Sequence, residues 1–456
     1  MQHEITNQRE LEAVDQRLIW HPFTQMRDYA GAKPLIIEEG KGCFLKDIEG
    51  RWYLDGVSSL WTNVHGHRKV KLDQALKDQT DRLAHSTLLG LSHVPAIRLA
   101  EKLIQIAPKG LTKVFYSDNG STAVEIAVKM AFQYHQQSPK GSRDKKKFIR
   151  LTNAYHGDTI GSVSVGGIDL FHSVYHDLLF SSYIAEAPYC YRCARAKSYP
   201  SCRLDCLNSV EDILKGKSQE IAALVIEPLV QGAGGILVHP EGYLKGIREL
   251  CTRYSVFMIA DEVAVGFGKT GKMFACEHEA IVPDLMALAK GITGGYLPLA
   301  ATLVTDEIYE GFLGEYAEFK TFFHGHTFTG NPLACAVALA NLAVFEEEQV
   351  LYVLQEKIAF LEQCLEPFVE LSQVGDVRQC GIMVGIELVA DKETRESYAP
   401  EKRIGHRVIL EARKRGVIIR PLSDVIVLMP PLSISKEEIE LLCRVTFESI
   451  RAVTED

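Results

Sequence analysis

The sequence has no stretch of about 18 consecutive apolar residues, the length an α-helix needs to cross a bilayer, so no membrane-spanning helix is expected. Its first twenty residues, MQHEITNQRELEAVDQRLIW, are polar and amphipathic and hold no apolar signal region, so no secretory signal is expected either. Basic residues are in no excess: 50 Lys and Arg stand against 59 Asp and Glu, a net charge of −9. That balance excludes nucleic acid as the main partner, because phosphate backbones are bound by a basic face. The one dense basic run, residues 140–147, is interrupted by Gly141, Ser142 and Asp144 and reads as a solvated loop. Eleven cysteines, an odd number scattered through 456 residues, make no disulfide framework and fit reduced thiols in a cytoplasmic protein. Internal repeats and low-complexity segments are also missing.

What is there is an ordinary globular composition, 46% apolar and 24% charged, in a chain long enough for more than one domain. Residues 1–19 read as a helix that Pro22 terminates. Short apolar runs at 35–37, 43–45 and 52–54, punctuated by glycine, read as a small antiparallel meander. From residue 113 strands and helices alternate. The runs KVFYS (113–117), IAALVI (221–226) and VFMIA (256–260) are nearly continuous, as expected of strands buried on both faces. Polar residues stand just past several such runs: Glu227, Asp261 and Lys290. Further on, the spacing predicts a helix over 333–345, a strand over 381–388, a helix over 401–415 and two short strands around Arg420-Pro421.

Asp261 and Lys290 read as the heart of a cofactor site, the carboxylate to hold a pyridinium nitrogen and the amine to form a Schiff base with an aldehyde. Residues 113–122 make a strand, a glycine-containing turn and a helix start, where free backbone N–H groups can hold an anion; Thr122 and Glu125 are the expected capping pair. Tyr155 follows another strand and is placed to stack on a flat ring, or simply to pack on the domain surface. The loop GFGKTG (266–271) matches a dinucleotide-binding pattern, but Asp261-Glu262 would repel a pyrophosphate and no clear amphipathic helix follows Gly271. Val263 stands where a Walker A loop needs its first glycine. His65, His67 and His85 lack the companion ligands of a metal site. Cys190, Cys193, Cys202 and Cys206 form CxxC and CxxxC pairs that are either a tetrahedral thiolate site or a loop of reduced thiols. Arg420, fixed by Pro421, is suited to gripping a carboxylate with both arms of its guanidinium.

Together the stretches WHPFTQM, DGVSSLWTNVHGH, DNGSTAVEIAVKMAFQY, YHGDTIG, EPLVQGAGG, ADEVAVGFGKTGKMFACEH, KGITGGYLPLA, HTFTGNPLACA and IRPLSDVIVLMPP resemble the class III aminotransferases, from Trp20 to Pro431. The resemblance implies an α/β protein of the pyridoxal-phosphate-dependent fold type I. Its large domain would carry a mostly parallel mixed sheet, and both termini would form a small α+β domain: 1–75 and 338–456 around a cofactor-binding 76–337. It implies catalytic roles for Lys290, Asp261 and Tyr155. Gly120, Ser121 and Val263 would join them in binding pyridoxal phosphate, with Thr327 reaching the phosphate from the partner subunit of a homodimer with shared sites. Phe23, Trp61, Gly325 and Arg420 would meet substrate, beside Tyr155 and Lys290, and no metal is implied. The substrates implied are a small-molecule amino donor and a keto acid, 8-amino-7-oxononanoate in the branch these stretches most resemble. An ω-amino acid:pyruvate or lysine/ornithine aminotransferase is the alternative, and a non-catalytic binding protein a distant one. Phe23 replaces a tyrosine common in the family, Leu60 the first of two paired tryptophans, and His326 a proline. These departures leave the donor between S-adenosylmethionine and lysine.

Overall fold

The computed structural model of the protein describes residues 8–455, and its centre is a seven-stranded sheet. Its strands lie in the order Leu111–Ser117, Ala300–Thr305, Leu285–Leu288, Phe257–Asp261, Ile221–Ile226, Lys147–Leu151, Tyr183–Ala185. Only Ala300–Thr305 runs against its neighbours; the other adjacent pairs are parallel. Every residue of Ile221–Ile226 is buried, as its unbroken apolar sequence predicts for a strand covered on both faces. Val225, Ile259, Leu285 and Ala287 cluster with the helix Gly120–Gln137. Leu224, Met258, Ala260 and Met286 join the opposite core with Leu244 and Ile247 of the helix Tyr243–Arg253.

The helix Gly120–Gln137 buries Val124, Ala127, Val128 and Ala131, the stripe its spacing predicts. Its cap differs from the expected one. Asn119 and Thr122 exchange the capping bonds, and the Glu125 carboxylate instead accepts from Thr159 Oγ1 at 2.6 Å and Ser162 N at 3.2 Å. The helix expected over 1–19 is observed as Gln8–Leu18; residues 1–7 lie outside the described residues. Among the described residues no helix is long and apolar enough to cross a membrane.

Two smaller sheets flank the centre. Ile37–Lys41, Phe44–Asp47 and Trp52–Asp55 form the expected meander, extended by the distant strand Val417–Ile418, which runs parallel to Trp52–Asp55. Val374–Cys380, Met383–Leu388, Val425–Leu428 and Arg420–Leu422 make an antiparallel sheet. A buried arginine ties that sheet to the centre. Arg378 Nη1 pairs with Glu387 at 2.5 Å and Asp376 at 2.8 Å, while Nε and Nη2 donate to the carbonyls of Ile236 and Gly235 at 3.1 and 2.8 Å. The guanidinium therefore fixes the loop after Ile221–Ile226 against the sheet that carries Arg420.

Replacing Arg378 by leucine would leave the buried Glu387 carboxylate without its main cation. The expected cost is about 3–5 kcal/mol, read as a fall in the urea midpoint with an unchanged slope. A loss below about 1 kcal/mol would show that the pair does not hold the two sheets together.

Candidate active site

Parallel strands present their C-terminal ends along one edge, and this edge holds a cavity of about 750 Å³. Phe257–Asp261 delivers Asp261, Ile221–Ile226 delivers Glu227, and Leu285–Leu288 leads to Lys290 two residues on. Of the residues singled out from sequence, Trp61, Gly120, Ser121, Tyr155, Asp261, Val263 and Lys290 all line this cavity.

Asp261 is held from two sides. Its Oδ2 lies 2.7 Å from His156 Nδ1, and its Oδ1 accepts from Val263 N at 3.0 Å. His156 is buried; burial alone would lower its pKa, but the bond and charge of Asp261 raise it above the ordinary value. Glu227 accepts from the backbone N–H of Tyr155 at 3.1 Å and of Gly232 at 2.8 Å, and burial pushes its carboxyl up to about 7. Lys290 opens onto the cavity with its Nζ 4.6 Å from the centre of the Trp61 ring. Burial lowers its pKa to about 8, against the pull of Asp261 and Glu227 and with the help of Arg420.

At the other end of the cavity the helix Gly120–Gln137 begins. The first donor into its ladder is Ala123 N, to Asn119 O, so the N–H groups of Gly120 and Ser121 precede the ladder at the positive end of the helix. A Cβ at Gly120 would stand 2.5 Å from Val263 Cγ1, which restricts the position to glycine. Ser121 Oγ donates to Thr159 Oγ1 and accepts from Thr159 N, both at 2.9 Å. Tyr155 lies between these ends; its hydroxyl donates to Asp158 Oδ2 at 2.7 Å, and burial together with that bond raises its pKa. His172 lies parallel to the tyrosine ring, 6.4 Å between centres.

Four expected residues do not line the cavity. Arg420 lies close enough for its charge to be felt by Tyr155 and Lys290, and among the described residues its guanidinium has no carboxylate partner. Phe23 is 61% exposed and packs edge-on against Phe171, which in turn meets Tyr155. Gly325 and Thr327 are exposed on the segment after Phe322. Cys190, Cys193, Cys202 and Cys206 surround one small separate cavity as free thiols. Among the described residues, no three His, Cys, Asp or Glu side chains are arranged to hold a metal ion. His65 instead bonds the Asn341 carbonyl, His67 pairs with Asp55, and His85 packs on Phe328.

His156, Asp158 and Thr159 were not singled out from the sequence, although they share the YHGDTIG stretch with Tyr155. The sequence marks Glu227 only as a polar strand end. Its position after six apolar residues was the available signal.

A family model, aminotransferase class-III, matches residues 26–450. The chain is 60% identical to the adenosylmethionine-8-amino-7-oxononanoate aminotransferase of Nitratidesulfovibrio vulgaris, over 98% of this chain and 82% of that one. The crystal structure of the enzyme of that name from Methanocaldococcus jannaschii is 47% identical with a TM-score of 0.94, covering 98% of this chain and all of the other. An ω-transaminase from Pseudomonas jessenii, solved in complex with PMP, is 33% identical with a TM-score of 0.93, covering 98% of both chains.

The lowered pKa of Lys290 sets a chemical expectation. In cofactor-free protein, reductive alkylation of Lys290 by acetaldehyde and cyanoborohydride should rise with pH about a midpoint near 8, followed by peptide mass spectrometry. Exposed lysines titrate near 10.4, so a Lys290 midpoint above about 10 would refute the desolvated amine.

Proposed function

The chain belongs to the class-III aminotransferases, and from that membership we propose that it aminates 8-amino-7-oxononanoate to 7,8-diaminononanoate, a step of biotin synthesis, using pyridoxal phosphate. The observation that carries the proposal is the meeting of the Lys290 amine, the Asp261 carboxylate and the start of the helix Gly120–Gln137 in one cavity. The near-full-length likeness to enzymes bearing that activity in their names supplies the substrate.

The residues present fit the cofactor. Gly120 and Ser121 offer backbone N–H groups to its phosphate, in a cradle where a larger residue would collide with Val263. Asp261 offers a carboxylate to the ring nitrogen, Tyr155 and Val263 would flank the ring, and Lys290 offers the amine. When bound, pyridoxal phosphate supplies an aldehyde and a ring that accepts electrons. Asp261 holds a proton at the ring nitrogen, and His156 Nδ1 keeps Asp261 in place. Lys290 Nζ, neutral for much of its population near pH 8, accepts the proton leaving the donor's amine-bearing carbon and gives one to the former keto carbon of the acceptor. Arg420, without a carboxylate partner among the described residues, would grip the carboxylate of the keto acid. Trp61, Phe23 and Gly325 would border the substrate.

S-adenosylmethionine is the donor that the relatives' name carries, and lysine is the alternative for a pocket that has Phe23 in place of a tyrosine hydroxyl. The active unit is proposed to be a homodimer in which Thr327 of the partner subunit reaches the phosphate. The exposed aromatics Phe323 and Phe328 beside it, 72% and 60% exposed, support such a covered face. Eleven free thiols are in keeping with a cytoplasmic setting.

Single-turnover mixing tests the function directly. S-adenosylmethionine or lysine should discharge the visible absorbance of the cofactor-loaded protein, and 8-amino-7-oxononanoate should restore it. Restoration by pyruvate and not by 8-amino-7-oxononanoate would replace the proposal with an ω-amino acid:pyruvate activity. Lys290→Ala should abolish the absorbance of the lysine-linked cofactor and all turnover. Arg420→Ala should raise KM for the keto acid roughly ten- to a hundredfold, as loss of a charged hydrogen-bonded pair does.

A further inference from the structure

We infer that Lys269 is a positioning residue for Trp61: its buried amino group fastens a left-handed backbone turn, residues 58–61, that holds the indole over Lys290 and sets the width of the substrate side of the cavity. The inference rests on the aminotransferase function proposed above. The four consecutive residues Ser58, Ser59, Leu60 and Trp61 have φ of 44°, 52°, 81° and 68°, and none is glycine. L-residues avoid this region because Cβ crowds the following carbonyl, so a run of four persists only where its surroundings over-determine it.

The surroundings do so through three side chains. Asp55, wholly buried, accepts from Ser59 N at 2.9 Å and from Ser59 Oγ at 2.7 Å, and His67 Nε2 lies 3.1 Å from the same carboxylate. Ser58 Oγ spends its proton on the Met429 carbonyl at 2.8 Å, which leaves its lone pairs in need of a donor. Lys269 Nζ is that donor, 3.0 Å from Ser58 Oγ and 3.4 Å from the Asn63 carbonyl. Lys269 is 1% exposed, and its own backbone carbonyl is pinned by Ile382 N at 2.9 Å, so the amino group arrives from a fixed loop. Burying a lysine this deeply costs solvation that an apolar side chain of similar volume would not. Here the cost is offset by a contact that only a donor can make. This gives a role to the one charged residue of GFGKTG, a motif that no nucleotide function absorbs.

What the turn holds is the indole. Trp61 is buried, with Lys290 Nζ 4.6 Å from its ring centre. A Cβ at Gly232 would stand 3.1 Å from Trp61 Cζ3, so the ring already abuts that backbone and cannot retreat toward it. The indole position is therefore set by the turn beneath it.

Two measurements test this. In a background of Trp20→Phe and Trp52→Phe, which leaves Trp61 as the only tryptophan of three, Lys269→Met and Ser58→Ala should each shift the emission of the cofactor-free protein to the red and increase acrylamide quenching. With cofactor, each should raise KM for the keto acid about tenfold with kcat within about threefold and an unaltered cofactor spectrum, the signature of lost binding rather than lost chemistry. The double variant should be no worse than the worse single one, because both cut the same contact. Unchanged emission and quenching, or effects that multiply in the double variant, would overturn the inference. Ser58→Ala keeps the test open if Lys269→Met does not fold. A wild-type protein that transfers no amino group to any keto acid would refute the proposed function instead, with the emission arm still deciding the role of Lys269.

Discussion

The site depends on lowering the pKa of a lysine amine that lies within reach of the charge of two carboxylates. In a desolvated cavity a bare carboxylate would hold Lys290 as an ammonium, since attraction between unit charges is only weakly screened there. The fold spends both carboxylates elsewhere. Asp261 is engaged by His156 and by the Val263 N–H, and Glu227 by two backbone N–H groups, with its own ionisation opposed by burial. Arg420 adds positive charge. Burial then wins, and the Lys290 pKa falls to about 8. The same two carboxylates that shape the field also place the chemistry: Glu227 holds the backbone of Tyr155, and Asp261 is left facing the cavity.

That arrangement needs groups far apart in the chain to arrive at one edge, which the sheet supplies. Parallel strands all end on the same side, so Glu227, Asp261 and Lys290 follow from three successive strands of the sheet. Ala300–Thr305 runs antiparallel on both sides, and two reversals restore the direction for Leu111–Ser117. The helix after Leu111–Ser117 therefore starts at the same edge and brings its positive end to the cavity. An anion and an amine-reactive carbonyl on one ligand can thus be met simultaneously, the first by backbone at Gly120 and the second by Lys290.

Features written as local contrast were legible in the sequence. Glu227, Asp261 and Lys290 each break an apolar run, and the stripe at Val124, Ala127, Val128 and Ala131 has the helical period. Features that depend on distant partners were not. His156 meets Asp261 across 105 residues, and Glu125 leaves its expected capping role for Thr159, 34 residues on. The left-handed turn at 58–61 contains no glycine to announce it, because its conformation is imposed by Asp55 and Lys269 rather than preferred locally. The roles of Thr327, Gly325 and Phe23 came from family resemblance alone, and in the single chain these residues stand outside the cavity lining.

Their position follows from how the edge of the site is built. The segment after Phe322 is tied to the helix Gly120–Gln137 by Lys129 Nζ, 2.9 Å from His324 Nδ1, and His326 lies 2.8 Å from Asp118, itself part of the cavity wall. The segment is thus anchored at the Gly120 end of the cavity while Phe323, Phe328 and Thr327 face outward. Apolar rings of that size stay in water only at a free-energy cost, which the proposed homodimer would relieve by covering them. A partner surface covering them in that proposed dimer would also approach the Gly120 end of the cavity, because the same short segment borders both. In the proposed homodimer, association and completion of the site would be coupled through that segment: excluding water from Phe323 and Phe328 would also exclude it from the neighbourhood of Gly120 and Ser121, where a bound anion is strengthened by a lower dielectric.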